Sequence, residues 1–232
     1  IAGVSGNGQK ELLYALSGED PRAAPAMVQV AGQNAGHLGP RQRRALGLHF
    51  VPEERLGRGA VPSIGLAHNL LLTRSDAVRS LGWIDVGALR AQAQQIIARF
   101  GVKAGGPDAP AQSLSGGNLQ KFIVGREISA GPSLLIVSQP TWGVDVGAAQ
   151  QIRGEILALR DAGCAVLVLS EELDELFDLC DRLYVMAKGH LSPSVDRADA
   201  TAPRIGEWMS GLWHADVQQH LKQTAEAHHA QA

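Results

Sequence analysis

Apolar residues recur along the chain in two different periods, and the switch between them divides it. After a glycine-rich turn, the spacing predicts a helix over residues 10–16 and a strand over 27–31. Gly39 and Pro40 punctuate a loop, and residues 46–51 read as a short buried strand ending at Pro52. From about residue 57 to 131 the pattern is helical, with a short segment at 68–72, a longer amphipathic one at 86–100 and a third at 116–128 that starts on Ser-Gly-Gly. Beyond it, apolar runs at 134–137, 165–169 and 183–185 alternate with helical stretches at 147–160 and 172–177. That alternation predicts an α/β fold with a parallel core sheet and crossover helices, into which 57–131 is inserted as a helical lobe.

Composition narrows the picture. A chain of 232 residues can bury a sizeable core and fits one domain with such a lobe. Aromatics are only 4%, so that core should be aliphatic. A net charge of -2 gives no electrostatic reason to expect nucleic acid as a partner. The densest basic cluster, Arg41, Arg43 and Arg44, reads as a solvated loop face. Cys164 and Cys180 form neither a disulfide framework nor a metal-ligand spacing, and read as reduced thiols in a cytosolic protein. No stretch approaches the roughly 18 uninterrupted apolar residues of a membrane span. Residues 1–8 lack the basic start and apolar run of a signal peptide, so work at a membrane would be by docking. The chain opens abruptly on Ile1 and Ala2, the remnant of a strand, and further sequence is expected upstream. The tail, 214–232, is poor in large apolar residues. Its histidines (His214, His220, His228, His229) lack ligand spacing and suggest a frayed, solvated helix, so no metal site is expected there.

The candidate chemistry begins at Gly3-Val4-Ser5-Gly6-Asn7-Gly8-Gln9-Lys10. A strand, a glycine-rich turn and a helix start form the setting in which backbone N–H groups cradle phosphates. The phosphate-binding pattern places Lys where this chain has Gln9, and Ser or Thr where it has Lys10. One step along a helix turns a side chain by about 100°, so Lys10 leaves in another direction and brings no metal-binding hydroxyl. Losing one charge-assisted contact costs about 1.5–3 kcal/mol, which weakens phosphate binding without forbidding it.

Five further segments carry the rest of the pattern. Leu114-Ser115-Gly116-Gly117-Asn118-Leu119-Gln120-Lys121 resembles the signature loop of ABC ATPases, a branch of the P-loop NTPases. Leu134 to Thr141 resembles their Walker B strand, with Gly143-Val144-Asp145 as the D-loop after it. Val168-Leu169-Ser170-Glu171 resembles the switch strand, and Phe50-Val51-Pro52-Glu53 the Q-loop. The resemblance implies a single ABC nucleotide-binding domain over 1–232, with ATP as the nucleotide. It also implies that several roles in the domain's own site are vacant: Gln9 for the lysine, Ser138 for the magnesium-holding Asp, Gln139 for the catalytic Glu, Glu171 for the switch His and Glu53 for the Q-loop Gln. An amide such as that of Gln139 cannot act as a general base, a loss worth about 10² to 10⁴ in rate. The signature turn, by contrast, is complete: Ser115, Gly116, Gly117 and Asn118, with Asp145, would serve in trans the ATP and Mg²⁺ held by a second ABC domain packed head to tail.

The phrases Gly-Val-Ser-Gly-Asn-Gly-Gln at Gly3, Val-Pro-Glu-Glu-Arg at Val51 and Gln-Pro-Thr-Trp-Gly-Val-Asp-Val-Gly-Ala at Gln139 look like the second half of tandem ATP-binding proteins from simple-sugar and nucleoside importers, more like the nucleoside branch. That implies transmembrane permease subunits as partners, an extracytoplasmic solute-binding protein acting indirectly, and a place on the inner face of the plasma membrane. The permease groove would lie around residues 53–72. The competing readings are an autonomous ABC ATPase outside transport, which would be expected to carry a coiled-coil or basic insertion not seen here, and a scaffold that binds no nucleotide, which would have no need of Ser-Gly-Gly.

Overall fold

In a computed structural model of the chain, which describes residues 1–74 and 84–213, the first helix, α1 (Gln9–Ser17), starts one residue before the apolar spacing suggests. The strand expected at 27–31 shrinks to β1 (Gln29–Val30), paired antiparallel with β2 (Gln33–Asn34). It is shorter because Met27 belongs to a 3-10 turn and stays exposed. The loop expected at Gly39-Pro40 is instead the start of helix α2 (Pro40–Ala45). Proline is suited to the first helical position, where its missing N–H has no intrahelical partner to lose, and Gln42 Oε1 accepts the Gly39 N–H at 3.1 Å.

Helix α2 corrects the reading of the arginine cluster. Arg43 is fully buried; its Nε donates to the Leu38 carbonyl at 2.9 Å, Nη2 to Gly36 at 3.0 Å, and Nη1 to Leu16 at 2.7 Å and to Ala15. A buried charge must be hydrogen-bonded, and four backbone carbonyls, two of them from the last turn of α1, accept from this one. Arg41 alone is exposed in the manner expected of all three.

Strand β3 (Leu48–Val51) follows. Its parallel partner β4 (Leu134–Ser138) arrives only after α3 (Leu66–Asn69), α4 (Val86–Arg99) and α5 (Gly116–Ile128). Register runs from Leu48 opposite Leu134 to Val51 opposite Val137. After α6 (Val146–Asp161), β5 (Ala165–Leu169) completes the order β3-β4-β5. Leu135, Ile136 and Val137 are almost wholly buried, the continuous apolar run of a parallel strand covered on both faces. Asp85 caps α4 by accepting the Ala88 N–H at 2.9 Å, and the helix buries Leu89, Ala93, Ile96 and Ile97, one stripe at helical spacing. Helix α5 is buried almost all round from Leu119 to Ile128.

The interior also holds an ionic cluster. The Glu127 carboxylate, at the end of α5, meets Arg126 Nε at 2.8 Å, Arg44 Nη1 at 2.5 Å and His49 Nδ1 at 2.9 Å. Burial alone would raise the Glu127 pKa, but Arg126, helped by His49 and Arg44, holds the carboxyl well below the usual carboxylate range.

These elements from Tyr14 to Val168 form one compact unit; Ile1–Leu13 with the chain from Leu169 onward form another. In the latter, Ala2 bridges Ser170 and Val185 in parallel. Its N–H donates to the Tyr184 carbonyl at 2.7 Å, and its own carbonyl accepts the Met186 N–H at 2.8 Å. Helix α7 (Leu173–Leu179) precedes four short strands, β6 (Arg182–Leu183), β7 (Met186–Ala187), β8 (His190–Leu191) and β9 (Val195–Asp196), paired β6 with β9 and β7 with β8. The single strand expected at 183–185 is thereby split, because Val185 changes partners to Ala2 and to Ser192. Helix α8 (Ala202–Met209), capped by Thr201, buries Ile205 and Trp208. The expected tail helix at 214–232 lies outside the described residues, as do 75–83 of the helical lobe.

Candidate nucleotide-binding loops

The glycine-rich turn joins the Ala2 strand to α1. Gly8 has φ +106°, a left-handed conformation that favours glycine, and it packs against Met186 and Gly189, with a Cβ position 2.9 Å from Met186 Cε and 3.3 Å from Gly189 Cα. Asn7 fixes the turn to the β7–β8 hairpin: its Oδ1 accepts the Lys188 N–H at 2.8 Å and its carbonyl accepts the Gly189 N–H at 2.9 Å. Asn7 Nδ2 reaches back to the Val4 carbonyl at 2.8 Å.

Gln9 turns its carboxamide into the same loop. Its Oε1 accepts the Asn7 backbone N–H at 3.0 Å, and its Nε2 donates to the Val4 carbonyl at 2.9 Å. A phosphate cradle works by presenting backbone N–H groups to the anion. Here one of those groups is already engaged by an uncharged side chain of the loop itself. Ser5, Gly6 and Lys10 face solvent and Gly3 is buried. Glu171 is half-buried next to Ser170, whose N–H donates to the Ile1 carbonyl at 3.2 Å.

The second loop lies in the unit formed by residues 14–168. Ser115 caps α5, its Oγ accepting Asn118 Nδ2 at 2.8 Å and, at 3.5 Å, the Asn118 N–H. Asn118 is held in turn by the Lys103 N–H, which donates to its Oδ1 at 2.7 Å. Gly116 and Gly117 leave the first turn of the helix bare, where N–H groups have no intrahelical acceptor. A Cβ on Gly117 would lie 3.4 Å from Asp145 Oδ2, so the turn and Asp145 adjoin. Asp145 caps α6 by accepting the Ala148 N–H at 2.9 Å, a bond that outweighs desolvation and lowers the carboxyl pKa. Ser115, Gly116 and Asp145 are thus exposed side by side, with Gly117 and Asn118 half-buried between them.

In the same unit, Ser138 ends β4 in a buried position, and Gln139 follows with φ +49°, a left-handed conformation uncommon outside glycine. Glu53 is exposed just beyond β3. Sequence reasoning singled out neither Arg55, which lies against Gly116, nor Arg58. Arg58 donates to Glu19 at 3.0 Å and to Glu54 at 2.8 Å, under the rings of Tyr14 and Phe50. Arg55 closes the phrase Val-Pro-Glu-Glu-Arg, and Arg58 lies three residues beyond it; that position beside the Q-loop was the available signal. A cavity of about 300 Å³ opens beside Arg58, lined also by Ser17, Glu19, Phe50, Leu72 and Thr73.

A parallel α/β core, a glycine-rich turn before a helix and a Ser-Gly-Gly helix cap together have the fold of an ABC-type ATP-binding cassette. The dimeric structure of MJ0796, a bacterial ABC transporter cassette, superimposes with a TM-score of 0.71 at 17% identity, over 85% of this chain and 84% of that one. The ADP conformation of MJ1267, another cassette of an ABC transporter, gives 0.61 at 19% identity, over 94% of this chain and 85% of that one. In sequence, the chain is similar to sugar and nucleoside import ATP-binding proteins over about 90% of its length. It is 43% identical over 215 residues to the glucose import ATP-binding protein TsgD13 of Haloferax volcanii, and 37% identical over 213 residues to the guanosine import ATP-binding protein NupO of Bacillus subtilis. Each match covers 91% of this chain but only 39% and 42% of the relative, so the chain spans about two fifths of their length. No family model matches. Among the described residues no helix is long and apolar enough to cross a membrane.

Proposed function

We propose that this chain is the non-hydrolysing cassette of an ABC importer for a simple sugar or a nucleoside, and that it lends its signature turn to ATP bound by a second cassette. The observation that carries the reading is the contrast between its two loops. The Ser115 turn is assembled and exposed next to Asp145, while the glycine-rich turn has the Gln9 carboxamide hydrogen-bonded into it. In this reading the exposed Ser115 hydroxyl and the bare N–H groups of α5 contact the γ-phosphate of the partner's nucleotide, favoured by the positive end of the helix.

The chain's own residues do not fit a hydrolytic centre. A hard divalent cation takes oxygen ligands, carboxylates above all. The motif positions that would supply a hydroxyl and a carboxylate hold Lys10, a cation, and Ser138, a neutral hydroxyl. At the position of the base stands Gln139, whose amide does not accept a proton near neutral pH. Mg²⁺ belongs to the partner's site, where it would neutralise phosphate charge.

Transmembrane permease subunits are the remaining partners, with a solute-binding protein acting through them from the other side of the membrane. The cavity beside Arg58 supports the reading, since it opens where the permease would dock: between the segment after β3 and Leu72 of the helical lobe. Both a glucose and a guanosine importer stand among the relatives, which supports the two solute classes equally. The chain would work at the cytoplasmic face of the membrane as a peripheral component.

The purified chain tests the reading. It is expected to hydrolyse ATP no faster than buffer. Gln9→Lys removes the carboxamide from the loop and restores a charge-assisted phosphate contact, so calorimetry should show ATP binding tightened about 10- to 100-fold. Hydrolysis should stay at the buffer level, because Gln139 still lacks a base. Robust turnover by the unmodified chain would overturn the proposal.

A further inference from the structure

We infer that Arg55 is a positioning residue for the signature turn, linking the segment that leaves β3 to the start of α5 and to the turn that leaves β4. The inference rests on the proposal that this turn serves a partner's ATP. Arg55 lies four residues past Val51, where β3 ends. Its Nε donates to Gln120 Oε1 at 3.0 Å, and its Nη2 donates to the Trp142 carbonyl. Its Nη1 stands 2.7 Å from where a Cβ on Gly116 would be, so the guanidinium occupies the room that a side chain in the signature turn would need. Gln120 is 1% exposed, and its Nε2 donates to the Pro140 carbonyl at 3.0 Å.

Two side chains therefore join three pieces of chain that are distant in sequence. The first is the segment after β3, which also carries Glu53 and Arg58. The second is the first turn of α5, with Ser115 at its cap. The third is the turn at 139–145, which runs from Gln139 to Asp145. A guanidinium is a planar fork that holds two acceptors at a fixed angle, which the single point charge of lysine does not do. A displacement near 1 Å at a group that contacts reacting phosphate can cost about 100-fold in rate. Arg55 is the side chain through which a shift of the segment after β3 reaches Ser115.

The test uses the complete tandem protein with its permease, measuring kcat and KM for ATP with solute-loaded binding protein present. Arg55→Ala and Gln120→Ala should each lower kcat about 10- to 100-fold, with KM little changed. The double variant should lose less than the product of the two single losses, because the Arg55–Gln120 bond is common to both. Arg55→Lys, which keeps charge and bulk and gives a second readout if the alanine variant does not fold, should fail to rescue kcat. Wild-type kcat in either single variant, losses that multiply in the double, or rescue by lysine would overturn the inference. Ser115→Arg separates the two levels. If it abolishes turnover while Arg55→Ala does not, the inference about Arg55 falls and the trans reading stands. If Ser115→Arg leaves turnover intact, the trans reading falls and takes the inference with it.

Discussion

Ser115→Arg, introduced into the complete transporter, is expected to abolish ATP turnover at the partner cassette while this chain stays folded. Ser115 is exposed, and its hydroxyl caps α5 through Asn118. Removing such a cap costs about 1 kcal/mol, a small part of the 5–15 kcal/mol that holds a typical domain together. The functional effect should be far larger. Ser115 is exposed at the N-terminal end of α5, so a partner's phosphate could approach its hydroxyl there, and an arginine side chain would fill that approach. Losing one preorganised donor to a transition state already costs about 10² to 10³ in rate, and obstructing the whole turn should cost at least as much. Ser115→Ala, which removes the hydroxyl without adding bulk, should give the smaller, single-donor loss. Steady-state ATPase assays of the two variants, beside their thermal unfolding, check the ordering; equal rates for Ser115→Arg and the unmodified protein would contradict it.

Glu127→Ala should unfold the chain more readily than any surface substitution. It would leave Arg126, which is 2% exposed, without its carboxylate, and would deprive Arg44 and His49 of the same partner. Breaking a buried ion pair from one side costs about 3–5 kcal/mol, because the remaining charge is stranded away from water. Chemical denaturation measures the loss directly, and a change below about 1 kcal/mol, the scale of an exposed pair, would contradict it. The same cluster sets a pH dependence. The Glu127 pKa is lower in the folded chain than in the unfolded one, so the unfolded state takes up the proton more readily. The stabilisation is complete above the ordinary carboxylate pKa and fades as the pH falls below it. Denaturation midpoints should therefore decline in acid for the unmodified chain and decline less for Glu127→Ala.

The elements that could be read from sequence are those whose side chains declare a period. Strands β4 and β5 are runs of Leu, Ile and Val, β3 is a short apolar stretch interrupted by His49, and α4 repeats its apolar residues on one face; all four were legible within a residue or two. Helix α2 was not, because Pro-Arg-Gln-Arg-Arg-Ala has no apolar stripe. It is held by Arg43 reaching four carbonyls contributed by separate stretches of chain, and a charged residue with that role looks in sequence like any solvated arginine. The strand expected at 183–185 failed for a similar reason: Val185 pairs with Ala2, at the far end of the sequence.

Of the candidate site, the residue types of both loops were legible, since motif and spacing are properties of the sequence. The engagement of Gln9 with Asn7 and Val4 was not, because a substitution names a missing lysine without saying what its replacement bonds to. Arg55 and Gln120 were hidden in plain view within quoted motifs. Their relation spans 65 residues and appears only when β3, α5 and the turn after β4 are packed together.

Division of labour between two cassettes is tested most directly by a single-turnover count. The proposed transporter, with both cassettes present, loaded with radiolabelled ATP and triggered once with solute-loaded binding protein, should release one ADP per pair of cassettes, all of it from the partner cassette. Two ADP per pair, released at equal rates, would mean that the glycine-rich turn of this cassette hydrolyses ATP after all.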